Sequence, residues 1–354
     1  MMELVIKYLG SKRTLLPVLG AIAKQSQASR AVDMFTGTTR VASEYKRQGL
    51  TVLANDIATY SNVLAQCYIT TDADTIDQPQ LVDTLDYLQH LPGKRGYFTE
   101  TFCEKSRFFQ PHNGMRIDAI RDAIETEYSG SWMYPILLTS LLLAADRVDS
   151  TTGVQMAYLK KWAARSYNNL ELRVPELIPG TGEATMEDAL ELARRLPKTE
   201  LMYLDPPYNQ HRYFTNYHIW ETLVRWDAPD SYGIACKRSD AREATTKSAY
   251  NRRREMPAQL RQLFYAINTE LAVVSYNDES WITPQEMTTT LRDAGFEDVR
   301  MLAFDYKRYV GAQIGIYNQS GNKVGKVSHL RNVEYLFLAG SKDQVAACAA
   351  AVPS

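Results

Sequence analysis

The stretch Leu201-Met202-Tyr203-Leu204-Asp205-Pro206-Pro207-Tyr208-Asn209 limits the possible folds more than any other. It begins as an apolar run with strand character, delivers one carboxylate and then breaks on two consecutive prolines. Neither proline can donate to a strand ladder and each fixes its own φ, so the pattern predicts a buried strand whose carboxyl end opens into a rigid turn. An acid and an aromatic are then held stiffly at a strand's end. Open α/β sheets place their ligands there.

The remainder of the chain must supply the rest of such a sheet, and the composition allows it. A chain of 354 residues with 45% apolar and 23% charged side chains can bury a full core, as one large domain with an insert or as two domains. The longest apolar run, Tyr134 to Ala145, stops at Asp146-Arg147 and is too short to span a bilayer. The start Met-Met-Glu-Leu-Val-Ile-Lys has no signal-peptide pattern, so a cytoplasmic location and no membrane partner are expected. Cys67, Cys103, Cys236 and Cys348 stand far apart without histidines at ligand spacing, which suggests reduced, structural thiols and no metal site. The formal net charge of −1 argues against a wholly basic nucleic-acid binder, yet it leaves room for local positive faces.

Taken in order, the chain opens on Lys7-Tyr8-Leu9-Gly10-Ser11-Lys12-Arg13, which feeds an apolar-periodic helix. Gly10-Ser11 would let the backbone approach an anionic group, with Lys12 nearby to pair with it. Ala31-Val32-Asp33-Met34-Phe35-Thr36-Gly37 then reads as a strand and a glycine turn before a helix, without the three-glycine dinucleotide fingerprint. A second strand, Leu50 to Ala54, ends in Asn55-Asp56 about 20 residues beyond the first turn. An acid at that place accepts from ribose hydroxyls, so residues 31–69 read as a βαβα unit for a ligand that contains adenosine; the alternative is that Asp56 only caps the helix starting near Ala58.

From 71 to 180 helical periodicity replaces strand signals, with Arg116–Tyr128 and Tyr134–Asp146 as helices. Within Met156–Asn168, Lys160, Lys161 and Arg165 mix with aromatics, a combination that suits phosphate and base contact but equally an ordinary amphipathic helix. Gly182–Leu190 is a short strand or turn whose Asp188 could cap the next helix. Tyr232–Arg254 carries Lys237, Arg238, Arg242, Lys247, Arg252, Arg253 and Arg254 against only Asp240 and Glu243. That local excess reads as a DNA-facing patch or as a solvated loop. Leu271–Asn277 is another buried strand, Pro284–Ala294 a helix ended by Gly295, and 298–317 with 324–338 a terminal hairpin around Asn318–Asn322. The Ala-rich tail from Lys342 carries no pattern, and there is no internal repeat.

Lys7-Tyr8-Leu9-Gly10-Ser11-Lys12-Arg13, Asp33-Met34-Phe35-Thr36-Gly37, Asn55-Asp56 and Asp205-Pro206-Pro207-Tyr208, in this order with a large insert before the last, resemble the Dam-like alpha group of DNA adenine methyltransferases. Asn209-Gln210-His211 and Asn216-Tyr217-His218-Ile219-Trp220-Glu221-Thr222-Leu223 are similar to the methylases that accompany FokI-type restriction enzymes. The resemblance covers most of residues 1–340. It implies an α/β fold, a Rossmann-like class I methyltransferase sheet, mostly parallel and seven-stranded with a C-terminal antiparallel hairpin. Residues 1–70 and 181–354 would form the catalytic domain that binds S-adenosylmethionine (SAM), and 71–180 a mainly helical inserted domain for target recognition.

The implied donor residues are Tyr8 and Lys12, then Asp33, Phe35 and Gly37 on the methionine side, Asp56 on the ribose and Asp188 near the adenine. Asp33 stands where Glu is frequent and Met34 where Pro is usual; Ala189 follows Asp188 where Phe is common. The implied reaction is methylation of an adenine 6-amino group in double-stranded DNA at a specific sequence, with SAM as donor and no metal. Asp205, Pro206, Pro207 and Tyr208 are its implied catalytic residues, and restriction-modification with a cognate endonuclease is its implied setting. Lys160, Lys161, Arg165, Lys237, Arg238, Arg252, Arg253 and Arg254 are candidate DNA contacts. His211 and His218 read as loop or packing residues rather than bases. Cytosine or an RNA base as the target, or a non-catalytic subunit that holds SAM and DNA, remain alternatives.

The chemistry follows from the residue types. An exocyclic adenine amine is a poor nucleophile because its lone pair is delocalised into the ring. If the Asp205 carboxylate and the Pro206 carbonyl each accept one amine hydrogen, the nitrogen is drawn toward tetrahedral geometry and its lone pair is aimed outward. That stabilisation grows as positive charge develops on nitrogen, so it acts on the transition state. The base must leave the duplex to be reached, and Tyr208 would stack on it.

Overall fold

The computed structural model describes residues 6–10, 12–208, 210, 212–243, 246–307 and 331–353. The strands among them are β1 Arg30–Asp33, β2 Thr51–Asn55, β3 Gly182–Thr185, β4 Thr199–Leu204, β5 Ser231–Tyr232, β6 Lys237–Arg238, β7 Thr269–Asn277, β8 Asp298–Lys307 and β9 Arg331–Gly340. A seven-stranded sheet takes the order β3-β2-β1-β4-β7-β9-β8, and β5 pairs with β6 on its own. The pairs β2–β3, β1–β4 and β4–β7 are parallel, whereas β9 runs antiparallel to both β7 and β8. This is the mostly parallel sheet with an antiparallel terminal hairpin that the motifs imply. The turn anticipated at Asn318–Asn322 lies outside the described residues, as do Ser11, Asn209 and His211.

The central strands are apolar almost without interruption because strands covered on both faces cannot alternate. Leu201, Met202 and Leu204 on β4 and Leu271 through Val274 on β7 are fully buried. The chain groups into two compact units: Met1–Arg13, Thr36–Asp188 and Arg212–Lys247 form the first, and Thr14–Phe35, Ala189–His211 and Ser248–Ser354 form the second. The segment 71–180 lies wholly inside the first unit, which also takes in β2, β3 and residues 212–247.

In the first unit, helices Gln78–His90, Pro111–Tyr128 and Tyr134–Val148 each carry proline in the first turn, where the missing N–H is no loss. Leu137, Leu138, Leu141 and Leu142 of the last helix are completely buried, each contributing about 1.5–3 kcal/mol of burial free energy. No helix among the described residues is long and apolar enough to cross a membrane.

One segment departs from helical periodicity. Between Ser150 and Ala163 there is no α-helix, and only a single 3-10 turn follows at Ala164–Tyr167. Its donors find distant acceptors instead: Leu159 N–H bonds Ser150 O, Ala163 N–H bonds Ser150 Oγ, and Gln155 N–H bonds Asn216 O. Gln155 also accepts Ile219 N–H at its side-chain oxygen (2.8 Å) and the His218 ring at its backbone carbonyl (3.0 Å). A carbonyl only accepts, so His218 Nε2 carries the proton. His218 is therefore a packing residue, fully buried against Phe102 and Phe108.

Burial pushes the His218 pKa down to about 3, against a smaller upward pull from its bond to Gln155. In the unfolded chain the same ring takes up a proton near pH 6.5. Stability from this group is thus complete above pH 6.5 and lost as pH falls from there toward 3. We expect a loss of about 1.4 kcal/mol by pH 5.5, read from urea midpoints at pH 7.5 and 5.5. His218→Gln should flatten that portion of the profile; an identical drop in both proteins would count against the assignment.

The second unit contains a helix the sequence did not announce. Ser341 Oγ accepts Gln344 N–H and starts Lys342–Ala350, which packs on Leu16–Ser26 with Cys348 buried near Ile22. Its small side chains give almost no amphipathic signal, and tertiary contact decides its structure.

Candidate active site

The first unit holds the N-terminal motif by an ion-pair network. Lys7 donates its backbone N–H to Asp146, and its ammonium lies 3.1 Å from Asp146 and 3.2 Å from Asp149. Asp149 in turn accepts Arg165 Nε and Nη2 at 2.9 and 2.6 Å. Burial, with the charge of Asp149 adding to it, raises the Asp146 carboxyl to about 6 although Lys7 pulls the other way. Arg165, a candidate DNA contact, is thus engaged inside the unit.

With its neighbour anchored, Tyr8 stacks near-parallel on Tyr217 and Tyr213, with centroids at 4.7 and 5.3 Å. Tyr217 OH accepts Leu9 N–H at 2.6 Å. Burial, then the phenols of Tyr60 and Tyr213, hold the Tyr8 hydroxyl well above its ordinary pKa, so it stays neutral. Gly37 sits in the turn after β1 with φ +52°, and a Cβ there would stand 3.2 Å from the Tyr8 ring. Both the left-handed backbone and the close ring favour glycine there.

Asp56 ties this turn to the end of β2. Its carboxylate accepts Gly37 N–H at 2.8 Å and Ala58 N–H at 3.0 Å, so it is both a turn clasp and a cap near the helix Thr59–Ala65. The buried Glu221 completes that helix start by accepting Thr59 N–H and Oγ–H at 3.1 and 2.6 Å. Asn55 reaches the other way: its amide accepts Thr185 Oγ–H and Glu187 N–H and donates to Glu187 O. The loop before Asp188 is clasped to the end of β2, and Asp188 itself is exposed. Lys12 is 6% exposed.

In the second unit β1 and β4 are parallel neighbours, with Asp33 opposite Tyr203. Asp33, buried at 1% exposure, and Asp205, half-buried two residues beyond Tyr203, therefore leave the same sheet edge from adjacent strands. Phe35 meets Tyr250 edge-on at 5.6 Å. Pro206 is buried, and Pro207 and Tyr208 are half-buried. Asp205 Oδ1 accepts Ser275 Oγ–H at 2.7 Å, Tyr208 OH accepts Asn277 Nδ2–H at 2.9 Å, and Tyr276 lies edge-on to Tyr208 at 5.4 Å. Sequence reasoning treated Ser275 and Asn277 only as parts of a buried strand. Polar residues at alternate positions where an apolar strand ends were the available signal.

The candidate DNA contacts divide by environment. Lys160 and Lys161 are exposed, and Trp162 beside them lies under the Arg107 guanidinium at 4.7 Å. Lys237 is half-buried. Arg238 is 1% exposed, bound by Asp227 through two 2.7 Å bonds and by Asp240. Arg252, Arg253 and Arg254 are all exposed, and Arg252 pairs with Glu255 at 2.7 Å. The count over 232–254 overstated the outward charge because Asp227 and Glu255 stand just outside that window. Among the described residues no group of three His, Cys, Asp or Glu is placed to hold a metal.

The mostly parallel seven-stranded sheet with its antiparallel terminal hairpin is that of the Rossmann-like class I methyltransferases. Residues 8–290 match the D12 class N6 adenine-specific DNA methyltransferase family, and the chain belongs to it. It is 31% identical over 325 residues to modification methylase StsI of Streptococcus sanguinis, covering 86% of this chain and 49% of that protein. It is 26% identical to type II methyltransferase M.FokI of Planomicrobium okeanokoites, with 86% and 50% covered, and 27% identical to M.NlaIII of Neisseria lactamica, with 84% and 89% covered. The chain thus spans about half the length of StsI and M.FokI.

Proposed function

We propose that this chain transfers a methyl group from SAM to the exocyclic 6-amino group of an adenine flipped out of double-stranded DNA, at a specific sequence and within a restriction-modification system. The observation that carries the reading is the emergence of Asp33 and Asp205 from neighbouring parallel strands, with Asp205 followed by the buried Pro206 and by Tyr208. The Asp205 carboxylate and Pro206 carbonyl accept the two amine hydrogens, Pro207 stiffens the turn and Tyr208 stacks on the base.

The residues fit an adenosine-bearing donor. The turn at Gly37, packed on the Tyr8 ring and clasped by Asp56, places a carboxylate suited to ribose hydroxyls at the end of β2. Tyr8, Lys12, Asp33, Phe35, Gly37, Asp56 and Asp188 would hold it. The donor supplies an electrophilic sulfonium methyl; the chain's own work is to seat the base, align the nitrogen and stabilise its developing charge. A cytoplasmic location with host DNA as substrate and a cognate endonuclease as partner belong to the same reading.

Incubating the protein with labelled SAM and plasmid, then digesting to nucleosides, tests it. We expect N6-methyladenine; label in cytosine or none in any duplex would overturn it. Lys160 and Lys161 are exposed bases in a stretch shared with Trp162 and Arg107. Replacing both with alanine should weaken duplex binding and reduce the slope of log K against log salt by about 1 for each phosphate no longer neutralised. An unaltered slope would assign them to solvated surface.

A further inference from the structure

The turn at 205–208 is braced from one side by β7, and the brace follows from strand register. β4 and β7 pair in parallel with Leu204 opposite Val274, so the next pair along is Asp205 with Ser275. Side chains opposite each other leave a sheet on the same face, and so do alternate residues of one strand. Tyr203, Asp205, Ser275 and Asn277 consequently share one face at the carboxyl ends of two adjacent strands. Tyr203 and Ser275 are buried, at 1% and 0% exposure.

The direction of the hydrogen bonds is forced by proton count. An ionised carboxylate has only acceptors, so Ser275 spends its single proton on Asp205 Oδ1 at 2.7 Å. The 2.8 Å contact between Tyr203 and Ser275 must then run from the phenol to the serine oxygen. A two-step relay, Tyr203 to Ser275 to Asp205, ends on one oxygen of the carboxylate. It fixes the rotation of that group about its Cβ–Cγ bond and hence the direction in which Oδ2 presents its lone pairs. Two residues further along β7, Asn277 donates to the Tyr208 hydroxyl at 2.9 Å and fixes that ring.

Core packing alone does not call for this arrangement. Replacing both partners of a buried hydrogen bond with apolar groups of the same shape is close to neutral for stability, and Phe with Ala would fill the same places as Tyr203 with Ser275. What the hydroxyls add is orientation, through charge-assisted bonding that is stronger and more directional than a neutral pair.

We propose that Ser275, backed by Tyr203, and Asn277 are positioning residues for methyl transfer: Ser275 aims the Asp205 carboxylate at the amine of the target base, and Asn277 seats the ring that receives that base. The proposal rests on the adenine methyltransferase reading above. Because alignment of an exocyclic amine is common to adenine and cytosine, its test survives an error in the base.

Ser275→Ala should lower kcat about 10- to 100-fold, the range expected when a reacting group is misplaced by a fraction of an ångström to one ångström, with KM for SAM and for DNA within about two-fold. Ser275→Thr, which keeps the hydroxyl, should recover most of the loss. Tyr203→Phe should lower kcat less, and should add nothing in the Ser275→Ala background, because in the relay its hydroxyl reaches Asp205 through that serine. The Asn277→Leu effect should fall on KM for DNA instead. Should Ser275→Ala leave a buried phenol without an acceptor and fold poorly, the Tyr203→Phe/Ser275→Ala protein removes that defect and carries the same prediction for kcat. Wild-type kcat in both of these variants, or additive losses from the two sites, would overturn the relay while leaving the functional reading intact. A wild-type protein that methylates no duplex would overturn that reading, and the relay with it.

Discussion

Asp205→Ala is expected to lower kcat for methyl transfer by about 10³-fold, while the affinities for SAM and duplex DNA change little. In the proposed mechanism its carboxylate accepts a hydrogen from an amine whose positive charge exists only on the way to product, so the interaction would strengthen in the transition state and contribute little to ground-state binding. The loss comes from Asp205 itself rather than from collapse of the turn. Pro206 and Pro207 fix their own φ values, and β4 is held by parallel pairing with both β1 and β7. Asp205→Asn should be nearly as inactive, since its amide offers a donor or a weaker neutral acceptor where an anion stood. Single-turnover transfer measured beside calorimetric titration with SAM separates the two quantities. Methylation at a wild-type rate would remove Asp205 from the mechanism.

The second large effect is expected at Asp56. If Asp56 accepts the two ribose hydroxyls as proposed, Asp56→Ala should weaken SAM binding about 100-fold, because hydrogen bonds to a charged group are each worth about 1.5–3 kcal/mol before partial compensation by water. It also releases Gly37 N–H and Ala58 N–H, held at 2.8 and 3.0 Å, so the apoprotein should lose about 1–2 kcal/mol of stability. Burial raises the Asp56 carboxyl above its ordinary pKa, opposed by the backbone donors of Ala58, Gly37 and Ile57. Protonation removes the acceptor, so SAM affinity should decline as pH falls toward that raised pKa, and the decline should be absent in Asp56→Ala. Calorimetry across pH with both proteins checks the magnitude and the sign. An affinity that Asp56→Ala leaves unchanged would reduce Asp56 to its capping role.

Three strand-end acids were legible as such for a local reason. Asp33, Asp56 and Asp205 each follow a short apolar run and precede a glycine, a helix start or a proline pair, and such punctuation is written within a few residues. The strands of the seven-stranded sheet, the antiparallel pairing of its last two in sequence and helices Pro111–Tyr128 and Tyr134–Val148 were readable in the same way, whereas the short pair β5 and β6 was not. Residues 150–163 were not. Their basic and aromatic pattern allows a helix, yet their donors are satisfied by Ser150 and Asn216 rather than by carbonyls four residues back.

The basic residues mark the same division. Along the chain Lys160, Arg165, Arg238 and Arg254 are equivalent positive charges. Only folding brings Asp149 to Arg165 and Asp227 to Arg238, and leaves Lys160 and Arg254 exposed. Tyr8 gains its ring partners from residues more than 200 positions away, and Asp205 its serine from 70 positions away. By itself the sequence determined which residue types stand at the strand ends, because strands and the turns that end them are set by neighbours a few residues apart. The tertiary structure alone decided which charges are spent on internal pairs and which way the Asp205 carboxylate faces, because both depend on partners that only sheet register and packing bring within hydrogen-bond reach.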